Sequence, residues 1–421
     1  MKTDEVDVLV VGGGPAGLSA AIRLKRRGVR RVVLLERWDE LGGIPLQCHH
    51  LGFGLRHLKW PRSGPSYARF LAARARESGV VTFTSTTALE IDSKNREVFC
   101  VSPRGHETFR ADAILLATGC RESTRAAKKV PGFRGKWVLN TSQLQQFVYQ
   151  YDSLPGKEVV IVGSEDVALS AVHTLGSKAK IRGMIERGPH LVGHRAFAVM
   201  TNWIRRVPLY KNHAIQRVLG RRSIEGVEIV EIDRSGDVIP GTEKLLICDT
   251  LVFSGDFIPE NELVWRADLD LDAHTKGPVV DQGLTTSAPG IFAAGNLLRG
   301  AETGDIAAME GEWAAECIVT YLQAQDHSPR KSLTEIRPGE NVSWVIPQRW
   351  DHASGLTPPG FLSTLRVKKR SWMHRLEVSV EGDLMWRSRR HLLLAPERRI
   401  PSGMNQWRFS SDKTTITVGV R

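Results

Sequence analysis

The chain has 421 residues, with 58 Lys and Arg against 46 Asp and Glu and a formal net charge of +12. A hydrophobic share of 41% with 25% charged residues excludes general disorder, and the length suffices for two or three domains with separate cores. No apolar run approaches the roughly 18 residues of a membrane-spanning helix, and no apolar leader precedes Val8, so a cytoplasmic chain without a transmembrane segment is expected. The nearest two of the five cysteines, Cys100 and Cys120, are 20 residues apart. That excludes a CxxC redox pair, a zinc ribbon and a local iron–sulfur loop, fits reduced thiols, and leaves no metal site expected.

Residues 6–36 read VDVLVVGGGPAGLSAAIRLKRRGVRRVVLLE. The spacing predicts a strand over 6–11 and a glycine-rich turn. A helix follows, with Leu18, Ala21, Ile22 and Leu24 on one face and Gly28 as its stop, and then a second strand ending at Glu36. This is GxGxxG in strand–turn–helix–strand context, with an acid 19 residues after the last glycine. Gly12 makes the tight turn, Gly14 lets the backbone approach a pyrophosphate, and Gly17 lets helix and strand pack closely. Pro15 and Ala16 open the helix, whose free N–H groups face the phosphates, and Glu36 can accept from a ribose hydroxyl. The expected ligand is a dinucleotide.

Residues 158–186, EVVIVGSEDVALSAVHTLGSKAKIRGMIE, repeat the unit. Gly163 to Glu186 spans 23 residues, and Gly12 to Glu36 spans 24. Residues 111–119 (ADAILLATG) and 248–255 (CDTLVFSG) are a second matching pair, so two doubly wound domains are expected. In the second fingerprint Gly163 and Ser164 are followed by Glu165, where the second glycine belongs, and Ala168 stands for the third. Glu165 places a side chain and a negative charge against a pyrophosphate. Binding of NAD(P) at Gly163, Ser164 and Glu186 therefore stays open.

Residues 284–295, LTTSAPGIFAAG, precede Asn296. Together with GGGPAG and the ATG at 117–119, they resemble the two-dinucleotide-binding flavoproteins of the glutathione- and thioredoxin-reductase type. The resemblance implies FAD at the first fingerprint, with Arg37, Gly43, Ala117, Thr118, Gly119, Gly295, Asn296 and Thr303 around it. It also implies an inserted NAD(P)-binding-like domain. The segments GGIPLQCHHLGFGL, GCRESTRAAKKVPG, LVFSGDFIPENEL and AAGNLLRGAETGDIAAMEGEWAA are similar to one subgroup. These are the FAD/NAD(P)-binding subunits of heteromeric dehydrogenases, including the flavoprotein accompanying anaerobic-type glycerol-3-phosphate dehydrogenase and the relatives in hydrogen cyanide synthase, opine oxidase and amino-acid dehydrogenases. The implied architecture is α/β: an FAD-binding domain at 1–120 and 251–325, an NAD(P)-binding-like domain at 121–250, and a small all-β domain at 335–421.

Disulfide reductases of this type carry a cysteine pair at the flavin, and here only Cys48 follows Gly43, which argues against disulfide reduction. The resemblance puts Cys48, His49 and His50 near the flavin ring, where either histidine can transfer protons or merely cap a turn. Arg121 can neutralise a reduced flavin or an acidic substrate, or pair with Glu122. Thr303 is placed to cap a helix. Arg187, His190, His194 and Arg195 follow Glu186 and can meet a 2′-phosphate or form a solvated loop.

Residues 331–421 hold 16 Lys and Arg against 8 Asp and Glu, eight of the twelve excess charges, and the tryptophans Trp344, Trp350, Trp372, Trp386 and Trp407. Alternation at 376–380 and 415–420 predicts strands after a linker near 325–340. A docking surface for an acidic partner subunit, nucleic-acid binding, and a solvated basic face over core tryptophans all fit this composition, nucleic acid least well. The expected function is an FAD-dependent subunit moving electrons in a heteromeric dehydrogenase of a small alcohol, hydroxy acid or amine, with partner subunits that can include a second FAD subunit and a small Cys-rich one. The rivals are a self-contained NAD(P)H:acceptor oxidoreductase and a non-catalytic FAD-binding scaffold.

Overall fold

A computed structural model describes residues 3–193, 197, 207–324, 333–388, 392–394, 399–402 and 415–420. The chain forms two compact units, one of Met1–Leu46, Leu51–Cys120 and Ile258–Arg421, the other of Gln47–His50 and Arg121–Phe257.

In the first unit β1 (Thr3–Val11) is apolar because both its faces are covered, and Val8, Leu9 and Val10 are fully buried. Helix α1 (Pro15–Arg26) starts on a proline, whose missing amide costs nothing in the first turn, and stops before Gly28 at φ +87°. Then come β2 (Val32–Leu35), α2 (Gly64–Glu77) and β3 (Val81–Phe83). An antiparallel meander of β4 (Thr87–Asp92), β5 (Glu97–Ser102) and β6 (Gly105–Leu116) brings the chain back beside β1. β1 runs parallel to β2 and β6, with Val11 opposite Leu35 and Leu116, so both turns open at the same carboxyl edge.

The second unit holds β7 (Val138–Asn140), α3 (Thr141–Tyr149), β8 (Glu158–Val162), α4 (Asp166–Leu175), β9 (Lys180–Glu186) and β10 (Leu209–Lys211). An antiparallel sheet of β11 (His213–Gly220), β12 (Ile224–Glu231) and β13 (Lys244–Ile247) intervenes before β14 (Thr250–Phe253). The parallel sheet runs β7-β14-β8-β9-β10, with Val162 opposite Phe253. Its strand order reverses at the β8/β14 pair, the edge where a doubly wound sheet opens its crevice.

The chain then returns to the first unit. β15 (Ile291–Ala293) pairs with β6, and α5 (Gly304–Gln323) lies against α1 so closely that a Cβ on Gly311 would fall 2.0 Å from the Ala16 carbonyl oxygen. Among the described residues no helix is long and apolar enough to cross a membrane.

The described residues of the C-terminal region form β-strands and the turns between them. One sheet contains β16 (Leu333–Pro338), β18 (Arg349–Asp351), β20 (Leu376–Val380), β21 (Asp383–Arg387) and β23 (Thr415–Val420), in the order β18-β16-β23-β20-β21. Another contains β17 (Val342–Ile346), β19 (Thr364–Val367) and β22 (Ile400–Pro401). The linker expected near 325–340 is corrected in its second half, where 333–338 is strand β16, its Thr334 and Ile336 buried. Trp344 is only 7% exposed and joins the core of the β1 sheet, while Trp350 and Trp386 pack on the β-region's own core. Trp344 is thus a core residue, and Trp350 and Trp386 are partly buried; the Trp372 side chain and Trp407 lie outside the described residues.

Candidate functional site

The first fingerprint is built around two close approaches and one open position. A Cβ on Gly12, at φ +113°, would lie 2.3 Å from the Ala117 carbonyl oxygen, and one on Gly17 would lie 1.9 Å from the Gly12 oxygen. The turn after β1 thus lies against the end of β6 with no room for side chains. At Gly14, the residue preceding α1, a Cβ would meet nothing within 4 Å. No side chain caps α1, and its first i−4 bond runs from Leu18 N to the Gly14 oxygen at 2.9 Å, so the Ala16 and Gly17 amides have no intrahelical acceptor. Open space beside free amides at a helix N-terminus fits a dinucleotide pyrophosphate.

Glu36 is buried and accepts from Gly13 N at 2.7 Å and Trp38 N at 2.9 Å. It locks the turn and keeps lone pairs for a ribose. Arg37 is 3.7 Å from Glu260, and the Thr118 hydroxyl donates to the Glu260 carbonyl at 3.1 Å. A Cβ on Gly43 would lie 2.9 Å from Gly14 Cα, and one on Gly295 2.8 Å from Ala16 Cβ. Pro15 opens α1, Gly119 follows at φ +76°, and Ala16, Ala117 and Ala307 form one apolar cluster. Gly12, Gly43, Ala117 and Gly295 therefore lie beside the start of α1 or the turn before it.

Asn296 accepts from Glu302 N at 3.1 Å and donates to the Glu302 oxygen at 3.3 Å, closing a six-residue loop on itself. The expected Thr303 cap is corrected: Thr303 occupies the N-cap position, but its exposed side chain makes no capping hydrogen bond. Asp305 instead turns back to accept from Gly54 N and Arg56 N. Sequence reading passed over a buried cluster beside this loop. Arg299 pairs with Glu310, both side chains 1% exposed, and Glu302 lies 3.5 Å from Arg399 of the β region. No motif spacing signals these pairs, because each joins segments separated in the chain.

In the second unit Gly163 opens the turn after β8 at φ +116°. Ser164 is fully buried and donates to Glu186 at 2.5 Å; Glu186 also accepts from Gly188 N at 2.7 Å, as Glu36 does from its own second neighbour. Glu165 precedes α4 with φ −74° and ψ 175°, nearly the Gly14 values of −79° and −173°. Its carboxylate accepts from the Ser254 hydroxyl, and burial pushes it above the usual carboxylate range against that hydrogen bond. Of the basic candidates, Arg187 and His190 are described, while His194 and Arg195 lie outside the described residues.

Cys48, His49 and His50 belong to this unit. The Cys48 thiol donates to Gln145 Oε1 at 3.8 Å, and burial, with the Glu122 carboxylate, pushes it up to about 12. His49 stacks on Tyr149 with centroids 3.7 Å apart, and the His50 ring lies 5.2 Å from Phe197. Arg121 and Glu122 are successive strand residues, so their side chains point opposite ways. Arg121 is exposed; Glu122 is buried and accepts from Ser142 N at 2.7 Å in the first turn of α3. Glu122 thereby holds the first turn of α3.

A family model described as pyridine nucleotide-disulphide oxidoreductase matches residues 6–311. The chain is 26% identical over 354 residues to the glutamate synthase (NADPH) small chain of Escherichia coli strain K12, covering 75% of this chain and 68% of that one. It is 29% identical over 347 residues to the NADP(+)-dependent formate dehydrogenase subunit beta of Moorella thermoacetica, covering 76% of this chain but 45% of that one. Among solved structures, the thioredoxin reductase of T. acidophilum superposes with a TM-score of 0.62 at 23% identity, covering 75% of this chain and 98% of that one, a likeness of fold.

Proposed function

The chain belongs to the pyridine nucleotide-disulphide oxidoreductase family of FAD-binding, NAD(P)-dependent oxidoreductases, and on that premise we propose that it is the flavoprotein subunit of a heteromeric dehydrogenase. The subgroup of the glycerol-3-phosphate-associated flavoprotein is the reading adopted, with a small alcohol, hydroxy acid or amine oxidised by the assembly. The carrying observation is the contrast between the two fingerprints: Gly14 is open, and its counterpart Glu165 fills its own turn. Bound FAD would supply a two-electron acceptor at N5. Gly12, Gly14, Ala16 and Gly17 hold the pyrophosphate, Glu36 the ribose, and the Gly295–Asn296 loop the remaining linker. His49 or His50, oriented by Tyr149 and Phe197, handles the proton, and exposed Arg121 offers charge to an anion. Disulfide reduction is not assigned. Cys48, Cys100, Cys248 and Cys317 are outside any disulfide, and a Cys48 thiol at about 12 is scarcely a thiolate at neutral pH. The glutamate synthase and formate dehydrogenase relatives, named as a small chain and a subunit, support the heteromeric reading.

The test is spectroscopic. The purified chain is expected to show flavin absorbance bands that NADH and NADPH leave unbleached under anaerobic conditions, and to bleach when a co-purifying dehydrogenase subunit and its substrate are present. Absence of flavin bands, with no uptake of FAD on refolding, overturns the assignment. Rapid bleaching by NADH alone replaces it with the self-contained NAD(P)H:acceptor reading.

A further inference from the structure

Glu165 lies at the switch point of the second unit's parallel sheet. The two strands that flank this point, β8 and β14, are followed by Gly163 and, after Ser254, by Gly255. A Cβ on Gly163 would fall 2.7 Å from Glu165 Oε2, and one on Gly255 would fall 3.1 Å from Glu165 Oε1. The carboxylate therefore spans both glycine turns, in the crevice outside the strand ends where a doubly wound sheet takes a dinucleotide. The Ser254 hydroxyl donates to it from the end of β14, and the adjacent Lys128 ammonium favours its charged form while donating to Ser254 O at 2.9 Å and Asp256 Oδ2 at 2.6 Å. It sits at the N-terminus of a ten-residue helix, the position an anion prefers.

The first unit is the internal control. Gly14 has nearly the same backbone angles, and the space beyond its Cα holds nothing within 4 Å. A single side chain separates an open anion cradle from a filled one.

We infer that Glu165 stands in for the pyrophosphate of a dinucleotide and is the residue that closes the second fingerprint to NAD(H) and NADP(H). A nicotinamide dinucleotide would have to displace the carboxylate from Ser254 or set its own phosphates against a negative charge in a site with little water. Glu165 is thus a specificity-determining residue acting by exclusion. The inference deepens the reading of a subunit supplied with electrons by a partner, yet rests on the geometry of the two fingerprints and not on the partner.

Calorimetric titration of the flavin-loaded full chain with NAD+ and NADP+ reads binding without turnover, so a missing partner subunit does not affect it. The wild type is expected to give no saturable heat, and Glu165→Gly to bind at least one of the two with affinity raised at least about tenfold. Equal binding by wild type and Glu165→Gly, or none by either, overturns the inference. Flavin absorbance and a thermal melt check that the variant is folded. Should Glu165→Gly fail to fold, Glu165→Gln removes the charge and keeps the volume; a detectable gain over wild type supports the inference, and an unchanged titration overturns it. Unbleached flavin in the wild type bears on the partner reading, whereas these titrations bear only on Glu165.

Discussion

Gly14 and Glu165 occupy the same backbone conformation before equivalent helices, so their difference is a difference of one side chain. Gly14→Glu copies the second turn into the first. Because φ −79° suits any residue, the fold is expected to survive while FAD retention falls at least about tenfold, read as flavin absorbance per protein after gel filtration. Full retention would remove Gly14 from the pyrophosphate site. Glu122 provides a pH-dependent counterpart. Burial raises its pKa above the ordinary 4.5, against the Ser142 hydrogen bonds that lower it. A carboxylate raised on folding binds more protons folded than unfolded, so its effect on stability is most favourable below about 4.5 and is lost as pH rises through the raised value. Glu122→Gln keeps an acceptor for Ser142 N and removes the titration. The loss of Tm between about pH 5 and about pH 8 should be smaller in the variant than in the wild type, and an equal loss contradicts this account. The glycines of the first turn were legible from spacing because each answers a steric demand. The Glu122 cap was not, since nothing in sequence says which strand carboxylate faces the start of α3.

At the scale of elements, strands and helices followed their periodicity where both ends carried punctuation, as in α1 between Pro15 and Gly28. The helix after Asn296 was readable too, but its cap was not: Thr303 is exposed, and Asn296 and Asp305 organise the entry instead. The C-terminal strands were visible as alternation, whereas their attachment to the rest of the first unit was invisible. Gln348 N donates to the Val280 oxygen at 3.0 Å, the Gln282 amide donates to the Asp351 oxygen at 2.6 Å and accepts from Asp351 N at 2.8 Å, and Trp344 enters the large core. Trp344→Ala is therefore expected to cost about 3–5 kcal/mol of unfolding free energy by denaturant titration, the usual loss for a buried aromatic. A loss under about 1 kcal/mol would mean that Trp344 adds nothing to that core. Deleting 331–421 follows the same logic. The shortened chain should lose flavin or aggregate rather than remain a stable flavoprotein lacking only its partner.

For the whole molecule, eight of the twelve excess positive charges lie in 331–421, and that region packs into the unit carrying the first fingerprint. The described tryptophans of that region pack on the two hydrophobic cores it shares with the unit. The amino-acid sequence by itself determined the two Rossmann repeats, the dinucleotide chemistry of the first, and the want of a cysteine pair, because each rests on residues at fixed short spacings. Only the tertiary structure decided where Glu165 points, that the Cys48 thiol bonds Gln145, and that Arg299, Glu302, Glu310 and Arg399 share one buried cluster. Those facts depend on side-chain direction and on contacts between residues distant in the chain. No periodicity encodes them: burial and charge pairing are settled only once the chain has closed around them.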